Sequence, residues 1–287
     1  MTEKLRHAVA GAAIVLALAA ASAHAAGITL NETGSTLLYP LFQAWIAGYK
    51  SLKPDVEMTA ASTGSSAGNK EAIAGSVRIG ASDAYLSDQV AAQNPQILDI
   101  PLAISAVAIN YNLAGLNAAH LKIDGPTLAA IYTGAITEWD DPAIKEMNPG
   151  AALPHHAIIP VRRADGSGDT FVFTQFLDFS TQSWENSPGY GTDITWPSVA
   201  AEKAAPGNTG VVQTLAATPD SIGYVGVSYA DQIAKAGLGT AMVKNQEGQF
   251  LLATPDTIAN AAASLTRARR PMNASASSSR PATTAIP

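Results

Sequence analysis

The stretch "AIIPVRRADGSGDTFVFTQFL" (residues 157–177) contains an apolar run, a loop of glycine and serine, and a second apolar segment. The run at 157–163 predicts a strand, and residues 170–179 predict a helix that packs through its aromatic side chains. The same order of strand, small-residue loop and helix occurs twice nearer the N-terminus, in residues 28–50 and 55–75. Strands that alternate with helices are typical of α/β proteins. The sequence therefore predicts an α/β fold.

Three loops of small residues precede predicted helices: "TGST" (33–36), "TGSS" (63–66) and "DGSGD" (165–169). A helix N-terminus offers unpaired N–H groups and a partial positive charge, and glycine lets the backbone approach a ligand closely. Arg163 adds a planar guanidinium, and Asp165 is close enough in sequence to orient it. The three loops could converge on one anion. Helix capping and a structural Arg–Asp pair remain alternative explanations.

The first 25 residues have the pattern of a cleaved export signal: a basic start, an apolar run and "AHA" at 23–25. We expect cleavage after Ala25 and export of the mature chain. The sequence has no cysteine, which excludes a disulfide framework, a thiolate metal site and a lipid anchor on cysteine. A formal net charge of −6 argues against nucleic acid or an anionic membrane as partner.

No metal or cofactor is predicted. The adjacent pair His155-His156 is the strongest metal candidate, but neighbouring residues on a loop point apart and no acidic or cysteine cluster accompanies them. A solvated loop is the simpler interpretation.

Several segments resemble the periplasmic phosphate-binding protein of the phosphate-specific ABC transporter. They include "GITLNETGSTLLYPLFQAW" (27–45), "IGASDAYLSD" (79–88), "VRRADGSGDTFVFTQFL" (161–177) and "SIGYVGVSYA" (221–230), and the resemblance covers roughly residues 27–262. It implies a two-lobed periplasmic-binding-protein fold with the ligand cleft between the lobes. It also implies a periplasmic, monomeric, non-enzymatic protein that binds inorganic phosphate with high affinity. Such a protein delivers phosphate to the permease and ATPase subunits of an ABC importer.

The resemblance also suggests a division of the chain. The predicted parts are the signal peptide (1–25), lobe 1 (26–104), lobe 2 (105–240), a return to lobe 1 (241–265) and a tail (266–287). The tail has no aromatic or acidic residue and no apolar periodicity, so it is predicted to be disordered. Family members continue at this point with further strand and helix. We therefore expect a truncation or an altered reading frame, and a first lobe that lacks part of its core.

By matching motifs, the resemblance assigns a set of residues to phosphate: Thr36, Leu37, Ser65, Asp83, Arg163, Ser167, Gly168 and Asp169, with Asp165 supporting Arg163. Asp83 would accept a hydrogen bond from the proton that phosphate carries near neutral pH and that sulfate lacks. Some members have threonine where this chain has Asp169. A second acceptor there would favour the more protonated phosphate, whereas an outward-facing Asp169 would only stabilise its helix.

The segment "WPSVAAEKAAPGN" (196–208) departs from the family's glycine-rich sequence. It is not expected to touch the ligand.

Two alternatives remain. "GSSAG" (64–68) matches the G-x-S-x-G elbow of serine hydrolases, with Ser66 as nucleophile and an aspartate (Asp83 or Asp141) and a histidine (His155 or His156) following in chain order. No oxyanion-loop motif precedes it, so this interpretation rests on one short motif. The other alternative is a binding protein for a different oxyanion.

Overall fold

The computed structural model describes residues 28–268. Within this range the strands are Ile28–Gly34 (β1), Val56–Ser62 (β2), Ile79–Ala81 (β3), Val107–Asn112 (β4), Lys122–Ile123 (β5), Ile159–Arg163 (β6), Lys203–Ala205 (β7), Ser221–Gly226 (β8), Gly239–Thr240 (β9), Met242–Lys244 (β10) and Phe250–Leu251 (β11). The α-helices are Tyr39–Leu52 (α1), Ser65–Ile73 (α2), Asp88–Gln93 (α3), Gly125–Thr133 (α4), Pro142–Met147 (α5), Gly168–Ser180 (α6), Gln182–Asn186 (α7), Gly207–Ala216 (α8), Ala230–Lys235 (α9) and Pro255–Ala268 (α10). The predicted α/β class is confirmed.

The N-terminal sheet has the strand order β2-β1-β3, and both pairings are parallel. Gly34, Ser62 and Ala81 end these strands in register at one edge. Parallel strands bring their carboxyl ends to the same side of a sheet. The first two small-residue loops and the segment that carries Asp83 therefore all begin at this edge of the N-terminal sheet.

The central sheet has the order β7-β6-β8-β4-β9, with β6 parallel to β7 and β8. Its core contains an aromatic group in which Phe173 stacks on Tyr224 with ring centroids 4.4 Å apart, and Trp196 also lies nearly parallel to Tyr224, with ring centroids 6.3 Å apart. This packing fixes α6 against β8. The carboxyl ends of β6 and β7, at Arg163 and Ala205, lie side by side.

Helix starts follow local chemistry. Asp141 caps α5 by accepting from the Ala143 amide at 2.8 Å, with Pro142 in the first position. Ser35 and Thr36 are both good helix caps and predict a start of the first helix near them, but α1 begins at Tyr39. Pro40 explains the difference. Proline is tolerated in the first turn of a helix but not in its interior.

The apolar stretch at residues 97–112 is compatible with buried strands in an α/β sheet, but only Val107–Asn112 forms one. Leu98, Ile100, Leu102 and Ile104 all expose their side chains. An apolar pattern is buried only where another element covers it, and no described strand pairs with residues 98–104.

Apolar side chains spaced three and four residues apart form one face of α1, and this face is largely uncovered for the same reason. Only Phe42 of that face is fully buried, while Trp45 and Tyr49 are exposed.

Two predicted boundaries need correction. Residues 242–244 pair with β5, and Val243 joins the core cluster that contains Ile123. The chain at 241–251 therefore stays with the second predicted lobe instead of returning to the first. Helix α10 runs to Ala268 and includes the first three residues of the predicted disordered tail. The predicted signal peptide and the remaining tail lie outside the described residues.

Glu32 in β1 is a buried carboxyl away from the two core clusters. It is 3% exposed, and neither carboxylate oxygen has a hydrogen-bond partner among the described residues. Burial raises the pKa of Glu32 to about 7. Its ionisation at higher pH therefore opposes folding.

None of the helices between residues 28 and 268 is long and apolar enough to cross a bilayer.

The uncovered segment and the sheet that follows it should respond differently to substitution. Ile104 is 73% exposed and Ile109 is 1% exposed. We expect Ile104→Ser to change the free energy of unfolding by less than about 0.5 kcal/mol, and Ile109→Ser to lower it by about 3 kcal/mol or more. Urea denaturation followed by circular dichroism measures both. Equal destabilisation by the two substitutions would show that residue 104 is covered in solution.

Candidate functional site

Arg163, the last residue of β6, carries a buried positive charge, and its side chain is only 1% exposed. Its Nε donates to Asp165 Oδ1 at 2.8 Å, its Nη2 donates to Asp165 Oδ2, and its Nη1 donates to Asp169 Oδ2. Burial acts to lower the pKa of Arg163, but these two carboxylates outweigh it and raise that pKa. Arg163 therefore remains a fixed cation in the site.

Asp165 neutralises this cation. Its side chain is 21% exposed, and it also accepts a hydrogen bond from the Gly207 amide at 2.9 Å. Burial acts to raise the pKa of Asp165, but the bonds from Arg163 and Gly207 lower it overall. Asp165 is therefore the carboxylate that stays ionised. A cavity of about 230 Å³ borders it, lined by Ser62, Thr63, Asp165, Pro206, Gly207, Asn208 and Thr209.

Asp169 lies in the first turn of α6 and is 1% exposed. Its Oδ2 accepts from Arg163 and from Asn208 Nδ2, the latter at 2.7 Å. Its Oδ1 is buried and has no partner among the described residues. Burial raises the pKa of Asp169 against the opposing effect of Arg163 and Asn208. Asp169 thus presents one buried oxygen whose hydrogen-bonding capacity is unused.

Asp83 follows β3 and accepts hydrogen bonds from two serines. Ser35 Oγ lies 2.6 and 2.7 Å from its two oxygens, and Ser65 Oγ lies 3.3 Å from Oδ2. Burial, and then the charge of Asp169, raise the pKa of Asp83 to about 7, although both serines and Arg163 oppose the shift. Burial therefore opposes ionisation of Asp83 unless a partner donates hydrogen bonds to its oxygens. Ser35 was not among the residues predicted to form the site.

The three small-residue loops meet, as the sequence suggested. The Ser66 amide donates to the Gly166 carbonyl at 3.1 Å, which joins the second loop to the third. Gly168 packs directly on Asp83 and Ser65, because a Cβ at residue 168 would overlap Asp83 Oδ2 and Ser65 Oγ. The bare backbone of Gly168 is required by this close approach.

The first loop is held by the segment that follows β8. Thr36 and Leu37 are both buried. Tyr229 Oη donates to the Thr36 carbonyl at 3.0 Å, and Ser228 Oγ donates to the Leu37 carbonyl at 2.7 Å. The N-terminal and central sheets therefore close on each other around the candidate residues.

Ser167 has fewer free hydrogen-bond donors for a ligand than the resemblance implied. Its Oγ caps α6 by accepting from the Thr170 amide at 3.3 Å, and its own amide donates to the Thr192 carbonyl at 2.8 Å. The amide is already used, so the hydroxyl hydrogen is the donor that Ser167 has left for a ligand.

Asn208 is a site residue that the sequence interpretation missed. It lies at the start of α8 and is fully buried, at the end of the segment that was expected not to touch the ligand. Its Nδ2 bonds to Thr36 Oγ1 at 2.8 Å and to Asp169 Oδ2 at 2.7 Å. The turn "PGN" after β7 is a fourth small-residue turn before a helix, and it brings this end of segment 196–208 beside the candidate ligand residues. That the segment does not touch the ligand itself stays a prediction.

The serine-hydrolase interpretation has no supporting geometry. Ser66 Oγ donates to Thr192 Oγ1 at 2.9 Å. His155 pairs with Asp140, and His156 pairs with Asp220. Within the part of the chain that the structure describes, Ser66 therefore has no hydrogen bond to a histidine base. Across residues 28–268, no group of three or more His, Cys, Asp or Glu side chains could hold a metal ion.

Similarity to known proteins agrees with the family that the motifs predicted. Residues 19–281 match the PBP superfamily domain. The chain is 35% identical over 235 residues to the phosphate-binding protein PstS of Pasteurella multocida, covering 82% of this chain and 66% of that protein. It is 33% identical to the phosphate-binding protein PstS of Methanocaldococcus jannaschii, covering 85% of this chain and 64% of that one. The chain therefore spans just under two thirds of the length of these curated relatives.

The fold agrees as well. A substrate-binding protein from Clostridium perfringens, solved with bound phosphate, superimposes with a TM-score of 0.62 at 24% identity, covering 82% of this chain and 81% of that one. This likeness confirms the periplasmic-binding-protein fold.

The raised pKa of Asp83 should make stability depend on pH. The folded protein holds a proton that the unfolded chain releases above about pH 4, so stability should fall as pH rises from about 4 to about 7. We expect a smaller free energy of unfolding at pH 8 than at pH 5. Asp83→Asn should remove on the order of 2 kcal/mol of that difference. Urea denaturation at both pH values measures it.

Glu32→Gln is the matched control, because Glu32 has a similarly raised pKa outside the site. It should reduce the pH dependence by a comparable amount. If Asp83→Asn leaves the pH dependence of wild type intact, the Asp83 carboxyl is ionised throughout and its environment is more polar than the contacts indicate.

Proposed function

The chain belongs to the PBP superfamily, and from this premise we propose that it binds inorganic phosphate in the cleft between its lobes. The observation that carries the proposal is a fully buried cation, Arg163, within one closed site that also holds two carboxyls of raised pKa, Asp83 and Asp169. A cation and hydroxyl donors suit an anion. Carboxyl acceptors suit an anion that still carries protons.

Phosphate has this mixed character near neutral pH, whereas sulfate has no proton to donate. Against sulfate, the buried Asp83 carboxylate would face a negative ligand without a hydrogen bond between them. A site built to bond a ligand hydroxyl rejects an analogue without one by about 10⁴-fold or more. Selectivity thus comes from the acceptors, and affinity comes from the donors and Arg163.

The proposed ligand-binding groups share one cleft and are Thr36, Leu37, Ser65, Asp83, Arg163, Ser167, Gly168 and Asp169. Asp165 supports Arg163 through the paired hydrogen bonds described above. The unpartnered Oδ1 of Asp169 favours the inward interpretation of this residue. With two acceptors the site prefers the more protonated phosphate, and affinity weakens as pH rises.

The wider role follows from the relatives, which are called phosphate-binding proteins PstS. We propose a periplasmic, monomeric, non-enzymatic protein, exported with cleavage after Ala25. It delivers phosphate to the permease and ATPase subunits of an ABC importer by opening and closing of the lobes.

Isothermal calorimetry of the chain without residues 1–25 tests the proposal, after circular dichroism has shown that the chain is folded. We expect tight binding of phosphate, competition by arsenate, which has the same protonation pattern, and no heat with sulfate. Equal binding of sulfate would favour the alternative of a binding protein for another oxyanion. Absence of binding by a folded chain would contradict the proposal.

Asp83→Asn should lower phosphate affinity by at least about 100-fold and narrow the difference between phosphate and sulfate, because an amide can donate to either anion. Asp141→Asn is the matched control, since Asp141 caps α5 outside the site and asparagine also caps helices well. Loss of phosphate affinity in both variants would point to a general effect of removing an acidic residue.

A further inference from the structure

We infer that Asn208 sets the hydrogen-bond polarity of the anion site, making the Thr36 hydroxyl a donor and leaving Asp169 Oδ1 as an acceptor. The inference rests on the proposed function for the nature of the ligand. Asn208 acts through Thr36 and Asp169, so it is a positioning residue.

The orientation of the Asn208 amide is fixed by the backbone. The Gly226 amide donates to Asn208 Oδ1 at 2.8 Å, and a backbone N–H can only donate. The oxygen of the side chain must therefore face Gly226. Its NH₂ group consequently faces Thr36 and Asp169, so the choice between the two flipped forms of the amide is settled by chemistry.

The Thr36 hydroxyl is left with a hydrogen to give. Its Oγ1 lies 2.8 Å from Asn208 Nδ2 and 3.4 Å from the Asn208 backbone nitrogen, and both of these donate to it. A hydroxyl has one hydrogen and two acceptor positions. With both positions filled by Asn208, the hydrogen must go to a third partner, and no acceptor for it occurs among the described residues. An anion in the cleft supplies that acceptor.

Asp169, in contrast to Thr36, is left as a hydrogen-bond acceptor. Asn208 Nδ2 and Arg163 Nη1 both donate to its Oδ2, while Oδ1 remains buried without a partner. Because one oxygen is satisfied by the protein, the other is the place for a ligand hydroxyl. The Asn208 NH₂ group, through its contacts with Thr36 and Asp169, therefore leaves one donor and one acceptor for the same ligand. The donor is the Thr36 hydroxyl and the acceptor is Asp169 Oδ1.

This arrangement of a donor at Thr36 and an acceptor at Asp169 exists only when the N-terminal and central sheets are in contact. Thr36 belongs to the loop after β1, whereas Asn208, Asp169 and Gly226 belong to elements of the central sheet and its helices. Separation of the lobes would break the Asn208–Thr36 bonds and free the Thr36 hydroxyl to rotate. The donor pattern that recognises the anion is thus completed on closure.

Asn208→Asp tests the inference, because aspartate has the same shape but offers an acceptor where asparagine offers a donor. At pH 7.5 we expect phosphate affinity, measured by calorimetry, to fall about 100-fold, because Thr36 would turn its hydrogen toward residue 208 and Asp169 would face a like charge. At pH 5 the protonated aspartic acid can donate again. The ratio of wild-type to variant affinity should then shrink by about tenfold or more.

Asn112→Asp is the matched control. Asn112 donates its side-chain amide to the Leu215 carbonyl at 2.9 Å, outside the site. The substitution removes a structural amide in the same way, but it should not produce a pH-dependent change in phosphate affinity. A loss of affinity in Asn208→Asp that is the same at pH 5 and pH 7.5 would overturn the inference and leave Asn208 a structural role.

A second measurement needs no ligand. In the ligand-free protein, Asn208→Asp should raise the pKa of Asp169, followed by NMR of labelled carboxyl carbons, because a donor is replaced by a negative charge. An unchanged Asp169 titration would overturn the inference, whether or not wild type binds phosphate. Failure of wild type to bind phosphate would instead contradict the proposed function.

If Asn208→Asp does not fold, Asn208→Ala replaces it in both measurements. It should lose phosphate affinity without recovery at pH 5 and should still raise the pKa of Asp169. Wild-type affinity in that variant would overturn the inference.

Discussion

The structure depends on one constraint, which is the burial of the Arg163 guanidinium. Removing a charge from water costs several kcal/mol unless partners replace the lost hydration. Asp165 supplies a paired contact and Asp169 a single one, so the charge is compensated before any ligand arrives. Burial, which disfavours the charged form, raises the pKa values of Asp83 and Asp169 in the same site, against the opposing effect of Arg163. A buried cation beside carboxyls that resist ionisation suits a ligand that carries both charge and protons.

Much of the site could be predicted because its parts lie on short motifs. Arg163, Asp165, Ser167, Gly168 and Asp169 fall within seven residues, and strand-loop-helix units place such loops at a common edge. The contacts of Asn208 with Thr36 and of Ser35 with Asp83 span 172 and 48 residues. No local pattern encodes such a distance. The roles of Asn208 and Ser35 could therefore be identified only from the folded structure.

The fold was predictable to the same extent. Alternation of strands and helices indicated the α/β class, because that signal is local. Burial is not local: the apolar pattern at 98–104 and along α1 predicted a core, yet a side chain is buried only if another element covers it. The pairing of β10 with β5 likewise depends on contacts between residues more than 100 positions apart. The sequence of β10 alone does not indicate which predicted lobe the strand joins.

The uncovered segment has a consequence for the behaviour of the protein in concentrated solution. Leu98, Ile100, Leu102 and Ile104 occupy alternate positions of a segment that pairs with no described strand. Alternating exposed apolar side chains favour strand addition between molecules. Two residues interrupt this pattern, because Pro101 lacks an N–H to offer a neighbouring strand and Asp99 introduces a charge. Such residues act as gatekeepers against self-association. Pro101 and Asp99, which lie outside the candidate site, therefore act against strand addition along this segment.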